Sequence, residues 1–120
     1  MTKGRFTNGL MTCKASANIA QGQLLKMAAD GSVAPCTAAT DEATHIALIS
    51  GDGGERISCA VLGNAEGTQL ILATAAVATG DYVNPLGAVA AAGDIAVGLA
   101  LEGAAAGELF NAQHFAAREL

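Results

Sequence analysis

The chain has 120 residues, of which 52% are apolar and 14% charged, and its net charge is −5. The length fits one domain, the composition is too apolar and too weakly charged for a disordered chain, and the acidic balance argues against nucleic acid as a partner. The longest apolar run, Leu70 to Thr79, has about ten residues, against the roughly 20 that a membrane-spanning helix needs, so no membrane partner is expected.

Alanine supplies 28 of the apolar residues, and there is no Trp, one Tyr and three Phe. Small side chains bury little area each, at roughly 25 cal/mol per Å². A single copy therefore builds a thin core, and self-association is one way to add burial.

In chain order, residues 1–15 read as an arm that leads into a strand over residues 10–15. Lys3, Arg5, Lys14 and Lys26 lie in the first 29 residues with no acid among them, whereas Arg56 and Arg118 share the remainder with all 11 acidic residues. A basic leading segment before an acidic body has the character of a docking arm. Lys3, Arg5, Thr7 and Asn8 leave no apolar stretch of the secretory kind, so the expected site of synthesis is a reducing cytoplasm.

Residues 16–120 read as one β domain. Turn signals, mostly Gly beside Asp, Asn or Glu, recur every 8–13 residues or so. Strands are predicted over residues 23–27, at Val33-Ala34, over 46–50, 55–62 and 68–74, at Tyr82-Val83 and Val89-Ala90, and over 95–101 and 108–115. Residues 46–50 and 55–62 form a hairpin across Gly51-Asp52-Gly53-Gly54, with Ile57, Cys59 and Val61 on one face and Arg56 and Ser58 on the other. A short helix capped by Thr37 is predicted over residues 37–44, and a second over 116–120. The alanine-rich stretch from Gly80 is read as strands, because Pro85, Gly93 and Gly98 would interrupt a helix at about 1 to 3 kcal/mol each. In residues 95–101 large side chains (Ile95, Val97, Leu99, Leu101) alternate with small ones (Ala96, Gly98, Ala100), which lets the small ones press against another backbone. The fold class is mostly β, a small sandwich or barrel of short strands with at most one or two short helices.

Two segments echo each other, from about residue 22 to 62 and from about 80 to 115. Leu24-Leu25 answers Tyr82-Val83, Val33-Ala34 answers Val89-Ala90, His45–Leu48 answers Gly98–Leu101, and Gly54–Ile57 answers Gly107–Phe110. This reads as one β unit used twice.

The residues offer little chemistry. His45, His114 and the three cysteines, Cys13, Cys36 and Cys59, show no metal-ligand spacing, and the cysteines read as small buried hydrophobes. Ser50 is not in a nucleophile elbow, and Gly51–Glu55 lacks both the Lys-Ser/Thr of a phosphate loop and the acid spacing of a calcium loop. The chain is read as a non-enzyme without a cofactor or a metal.

The order of Gly22, Gly31, Val33, Gly54-Glu55, Gly80-Asp81, Val83, Gly87, Val89, Gly93, Gly98, Ala100 and Gly107-Glu108 resembles that of the capsid decoration, or cement, proteins of tailed bacteriophages. The resemblance runs from about Asn18 to Phe110. It departs from the family in an Ala/Thr-rich insert over residues 36–44 and in a longer tail after Phe110. It implies a structural virion protein on the outer capsid surface: a homotrimer that binds the major capsid protein across neighbouring capsomers and stabilises the shell. On that reading Lys3 and Arg5 meet acidic capsid surface and Phe6 anchors in an apolar pocket. The rival reading is a stand-alone β-rich module for a glycan or a host surface, which the four aromatic residues disfavour.

Overall fold

The computed structural model describes residues 9–65 and 67–120. They form nine strands: β1 (Leu10–Lys14), β2 (Leu24–Met27), β3 (Val33–Pro35), β4 (His45–Ala47), β5 (Arg56–Val61), β6 (Gln69–Leu72), β7 (Tyr82–Val83), β8 (Ile95–Ala100) and β9 (Leu109–Glu119). One sheet has the order β1-β5-β4-β2-β3 and the other β6-β9-β8-β7, with all strand pairs antiparallel. A parallel bridge between Ala15 and Val33, with the Ser16 N–H donating to the Val33 carbonyl at 2.9 Å, joins β1 to β3 and closes the first sheet into a barrel. The second sheet curls in the same way. Thr74 N–H donates to the Gly87 carbonyl at 3.3 Å, and Thr74 Oγ1 to the Leu86 carbonyl at 2.7 Å.

The two barrels share one strand arrangement. β1 pairs with β5 as β6 pairs with β9, and β4 lies between β5 and β2 as β8 lies between β9 and β7. The Val83–Val89 bridge stands where β2 meets β3. The hydrogen bonds repeat as well. Gly22 N–H donates to the Ala47 carbonyl and Gly80 N–H to the Ala100 carbonyl, and Ile19 and Gly51 exchange bonds as Val77 and Ala104 do. Gly54 N–H reaches the Ala15 carbonyl at 2.8 Å, and Gly107 N–H reaches the Ala73 carbonyl at 2.8 Å. The glutamate after each glycine caps its own turn: Asp52 N–H donates to Glu55 Oε1 at 2.6 Å and Ala105 N–H to Glu108 Oε1 at 2.7 Å. These paired glycine and acid positions are the echo visible in the sequence.

Two apolar clusters follow. The interior of barrel 1 holds Cys13, Leu25, Val33, Ala47, Ile57 and Cys59. The other cluster joins the inward residues of barrel 2 (Ile71, Val83, Val97, Ala100, Phe110, Ala112) to Leu24, Ile46 and Leu62 of barrel 1. Neighbouring residues in a strand point to opposite faces, so Leu24 and Ile46 lie on the outside of barrel 1 while Leu25 and Ala47 fill its inside. This is why Leu24-Leu25 of β2 and Ile46-Ala47 of β4 are apolar on both faces.

Neither of the two expected helices forms. Residues 37–44 make a turn instead, because the Asp41 carboxylate accepts the N–H groups of Thr37 (2.8 Å) and Ala38 (3.1 Å) and pairs with Lys26 Nζ at 3.2 Å. A short polar side chain that satisfies nearby amides competes with the helix. Asp94 repeats the device by accepting Ala91 N–H at 2.9 Å. Residues 116–119 continue β9, since β8 offers partners to the end: Ile95 pairs with Glu119 and Ala96 with Arg118. A bulge between Ala96 and Gly98 breaks the alternation expected in β8. Val97 and Ala100 both reach the core, while Leu101 is exposed. Gly98 does make the expected close approach: a Cβ there would sit 3.1 Å from the Gln113 carbonyl oxygen and 3.4 Å from the His114 Cα.

Candidate functional site

The cysteines and histidines are buried. All three cysteines are free and buried. Burial, and then the neighbouring Cys13, pushes the Cys59 thiol up to about 12. Burial, reinforced by Asp41, pushes Cys36 up to about 11. Thiols held protonated in this way are poor nucleophiles. His45 lies inside the fold, with Nδ1 2.7 Å from the Thr44 hydroxyl and Nε2 3.1 Å from Met11 Sδ. His114 Nδ1 accepts the Gly63 N–H at 2.9 Å, and its buried Nε2 has no hydrogen-bond partner among the described residues. Burial lowers the pKa of both imidazoles. Among the described residues no three His, Cys, Asp or Glu side chains gather as a metal site would require, and no helix is long and apolar enough to cross a membrane.

What the fold does present is a pair of repeat-related outer faces with different chemistry. Cross-strand neighbours share a face, and the register therefore fixes who stands together. On barrel 1, Lys14 lies directly opposite Arg56 and Thr12 opposite Ser58, all four exposed. On barrel 2 the same positions are Leu72 opposite Leu109 and Leu70 opposite Asn111. Like charges opposite one another cost stability in a sheet, on the order of a few tenths of a kcal/mol. Lys14 and Arg56 line an open groove of about 280 Å³ with Met11, Asp30 and Ser32. The Asp30 carboxyl is held below its ordinary range chiefly by the Ser32 hydroxyl (2.7 Å) and amide (3.0 Å). No salt bridge engages Lys14 or Arg56 among the described residues, whereas Lys26 is engaged by Asp41.

The face of barrel 2 continues from Leu70, Leu109 and Leu101 to Leu99 and Tyr82, which are cross-strand partners, and on to Phe115. Tyr82 and Phe115 meet edge to face with ring centres 6.2 Å apart. The Arg118 guanidinium lies 4.5 Å from the Phe115 ring centre and 5.8 Å from that of Tyr82, within cation–π range.

The arm residues Lys3, Arg5 and Phe6 lie outside the described residues. Sequence reasoning missed Arg56 as the companion of Lys14. A count by segments places Arg56 in the acidic half, and only the β1–β5 register brings the two together. It missed the Tyr82–Phe115–Arg118 cluster for the same reason, since Tyr82 is far from Phe115 and Arg118 in the chain and meets them only where β7 and β9 flank β8.

No protein-family model matches the chain, and no curated protein matches it. A solved structure does. The chain is similar in fold to the head fiber gp8.5 N base of bacteriophage phi29, with a TM-score of 0.66 and 18% sequence identity, over 86% of this chain and 90% of that one. At this identity the likeness is one of fold.

Proposed function

We propose that the chain is a structural protein of a phage virion, mounted on the head. The observation that carries this reading is the shared fold with a phage head fiber base, matched over nearly all of both chains. The residues support it. Among the described residues the two barrels hold their thiols and imidazoles buried and offer broad outer faces. Within this reading the finer role is that of a capsid decoration protein. It binds the major capsid protein across neighbouring capsomers as a homotrimer and stabilises the expanded shell from outside. No bond is made or broken, and several modest contacts act together through avidity. Lys14 and Arg56, with Lys3 and Arg5 of the arm, supply positive charge toward an acidic shell surface, and Phe6 supplies an apolar anchor.

The test is co-sedimentation of the purified chain with emptied, expanded phage heads. Saturable binding that falls steeply with salt is expected, together with its loss when residues 1–8 are removed. A chain that stays in the supernatant at every salt concentration overturns the reading. Full binding by the truncated chain overturns the role of the arm.

A further inference from the structure

Register brings Lys14 and Arg56 together, and no ion pair among the described residues engages either. The Ala15 N–H donates to the Glu55 carbonyl and the Val61 N–H to the Gly9 carbonyl, so Gly9, Met11, Cys13 and Ala15 of the first strand sit in the hydrogen-bonded pairs with β5. Lys14 and Arg56 form one of the intervening pairs, whose side chains stand closest. Acids that could serve them are committed elsewhere: Glu55, Asp81, Asp94 and Glu108 each accept an N–H of their own turn. The two cations line the open groove between β1 and the turn over residues 28–32.

Asp30 lines the same groove from that turn. Ser32 donates its N–H at 3.0 Å and its hydroxyl at 2.7 Å to Asp30 Oδ1, which fixes the carboxylate and leaves Oδ2 open to another donor. The Ser32 hydroxyl first, and Lys14 more weakly, hold this carboxyl below its ordinary range, so near neutral pH it is ionised and only accepts hydrogen bonds. Thr12 and Ser58 add exposed hydroxyls two residues along, on the face of Lys14 and Arg56. The groove thus offers two cations and one acceptor. A bare anion suits the cations and is repelled by Asp30. An anion that also carries a proton suits all three.

We propose that this groove binds the hydrogen phosphate ion, with Lys14 and Arg56 on its bare oxygens and Asp30 accepting from its P–OH. Free phosphate keeps one proton throughout the neutral range. Sulfate and phosphodiesters have none there, and a phosphate monoester, with its second pKa at about 6, has largely lost its own by pH 7.5. Asp30 is the selector: it rewards the one anion that can donate and repels the others. The bound ion also removes the repulsion between the opposed Lys14 and Arg56 and ties the 28–32 turn to β1 and β5. Because it binds the folded chain alone, it raises stability. The site does not depend on the virion reading, in which the same cations face the shell.

The experiment is a titration of the full chain, without capsids, with sodium phosphate at pH 7.5 and an ionic strength held constant with chloride. Phosphorus NMR reads binding, and thermal denaturation reads stabilisation. Sodium sulfate, dimethyl phosphate and glycerol 3-phosphate are the comparison anions, with sulfate read by denaturation alone. Saturable binding of phosphate is expected, with each comparison anion about 10-fold weaker or more. Lys14→Gln and Arg56→Gln are each expected to weaken phosphate about 10-fold, while Arg118→Gln on barrel 2 leaves it unchanged. Asp30→Asn, which turns an acceptor into a donor, is expected to close the gap between phosphate and sulfate. Circular dichroism reports whether each variant folds, and the wild-type comparison of anions needs no variant. No saturable binding, or binding that folded Lys14→Gln leaves intact, overturns the site. Sulfate or the monoester binding as tightly as phosphate overturns the part given to Asp30. A chain that binds phosphate but ignores phage heads upholds the groove while the virion role fails, and the reverse result does the opposite.

Discussion

Gly22 and Gly80 occupy the same position in the two barrels, at φ +88° and +90°, yet only Gly22 lies against the other barrel. A Cβ on Gly22 would meet Leu109 Cδ2 at 2.6 Å and the Leu72 backbone nitrogen at 2.7 Å, whereas a Cβ on Gly80 would meet nothing within 4 Å. The pair separates backbone strain from barrel packing. Gly80→Ala is expected to cost about 1–2 kcal/mol, the ordinary penalty for a left-handed L residue. Gly22→Ala is expected to cost about 3 kcal/mol or more, because backbone has to move. Urea denaturation of both variants checks this, and equal costs would show that the barrels do not press on each other at Gly22.

The echo between the halves was legible because the unit is built on backbone hydrogen bonds that need particular residues. Gly54-Glu55 and Gly107-Glu108 are visible for this reason, as are Gly22 and Gly80. What could not be read was register. Lys14 meeting Arg56, Tyr82 meeting Phe115, and the burial of Leu24 and Ile46 on the outside of a barrel all depend on which strands pair and how the two units stack. The helix expected over residues 37–44 failed on a local competition. Asp41 satisfies the amides of Thr37 and Ala38 better by folding back than by extending a helix.

The second cluster draws residues from both barrels, so the barrels are expected to unfold together. Phe110→Ala, at a position with 0% exposure, should cost about 3–5 kcal/mol. It should lower one common transition seen by circular dichroism and by Tyr82 fluorescence. Two separated transitions would show that the barrels are energetically independent.

Acid should weaken the fold in the histidine range. Burial holds His45 and His114 below the ordinary value of 6.5, so the unfolded chain binds protons that the folded chain refuses. Stability is fully present above that value and falls as pH drops below it toward the folded pKa. A protonated His114 also turns Nδ1 into a donor facing the Gly63 N–H. Denaturation midpoints between pH 7.5 and 5 should fall with pH, and His114→Gln should flatten the slope. Asp30 and Asp41 act lower. Their depressed carboxyls contribute stability above 3.8 that disappears as pH falls through their folded values.

The thiols give a direct check of burial. Ellman's reagent should find essentially no fast-reacting cysteine in the native protein and all three once it is unfolded. A rapidly labelled thiol in the native state would contradict the protonated, enclosed positions of Cys36 and Cys59.

The bridge from Ala15 to Val33, and its counterpart at Thr74, draw the outermost strands of each barrel together. Little raw backbone rim is left for a neighbour to zip onto. Molecules crowded shoulder to shoulder on a surface would recognise one another through side chains alone, so dense coverage need not carry the hazard of amyloid-like growth.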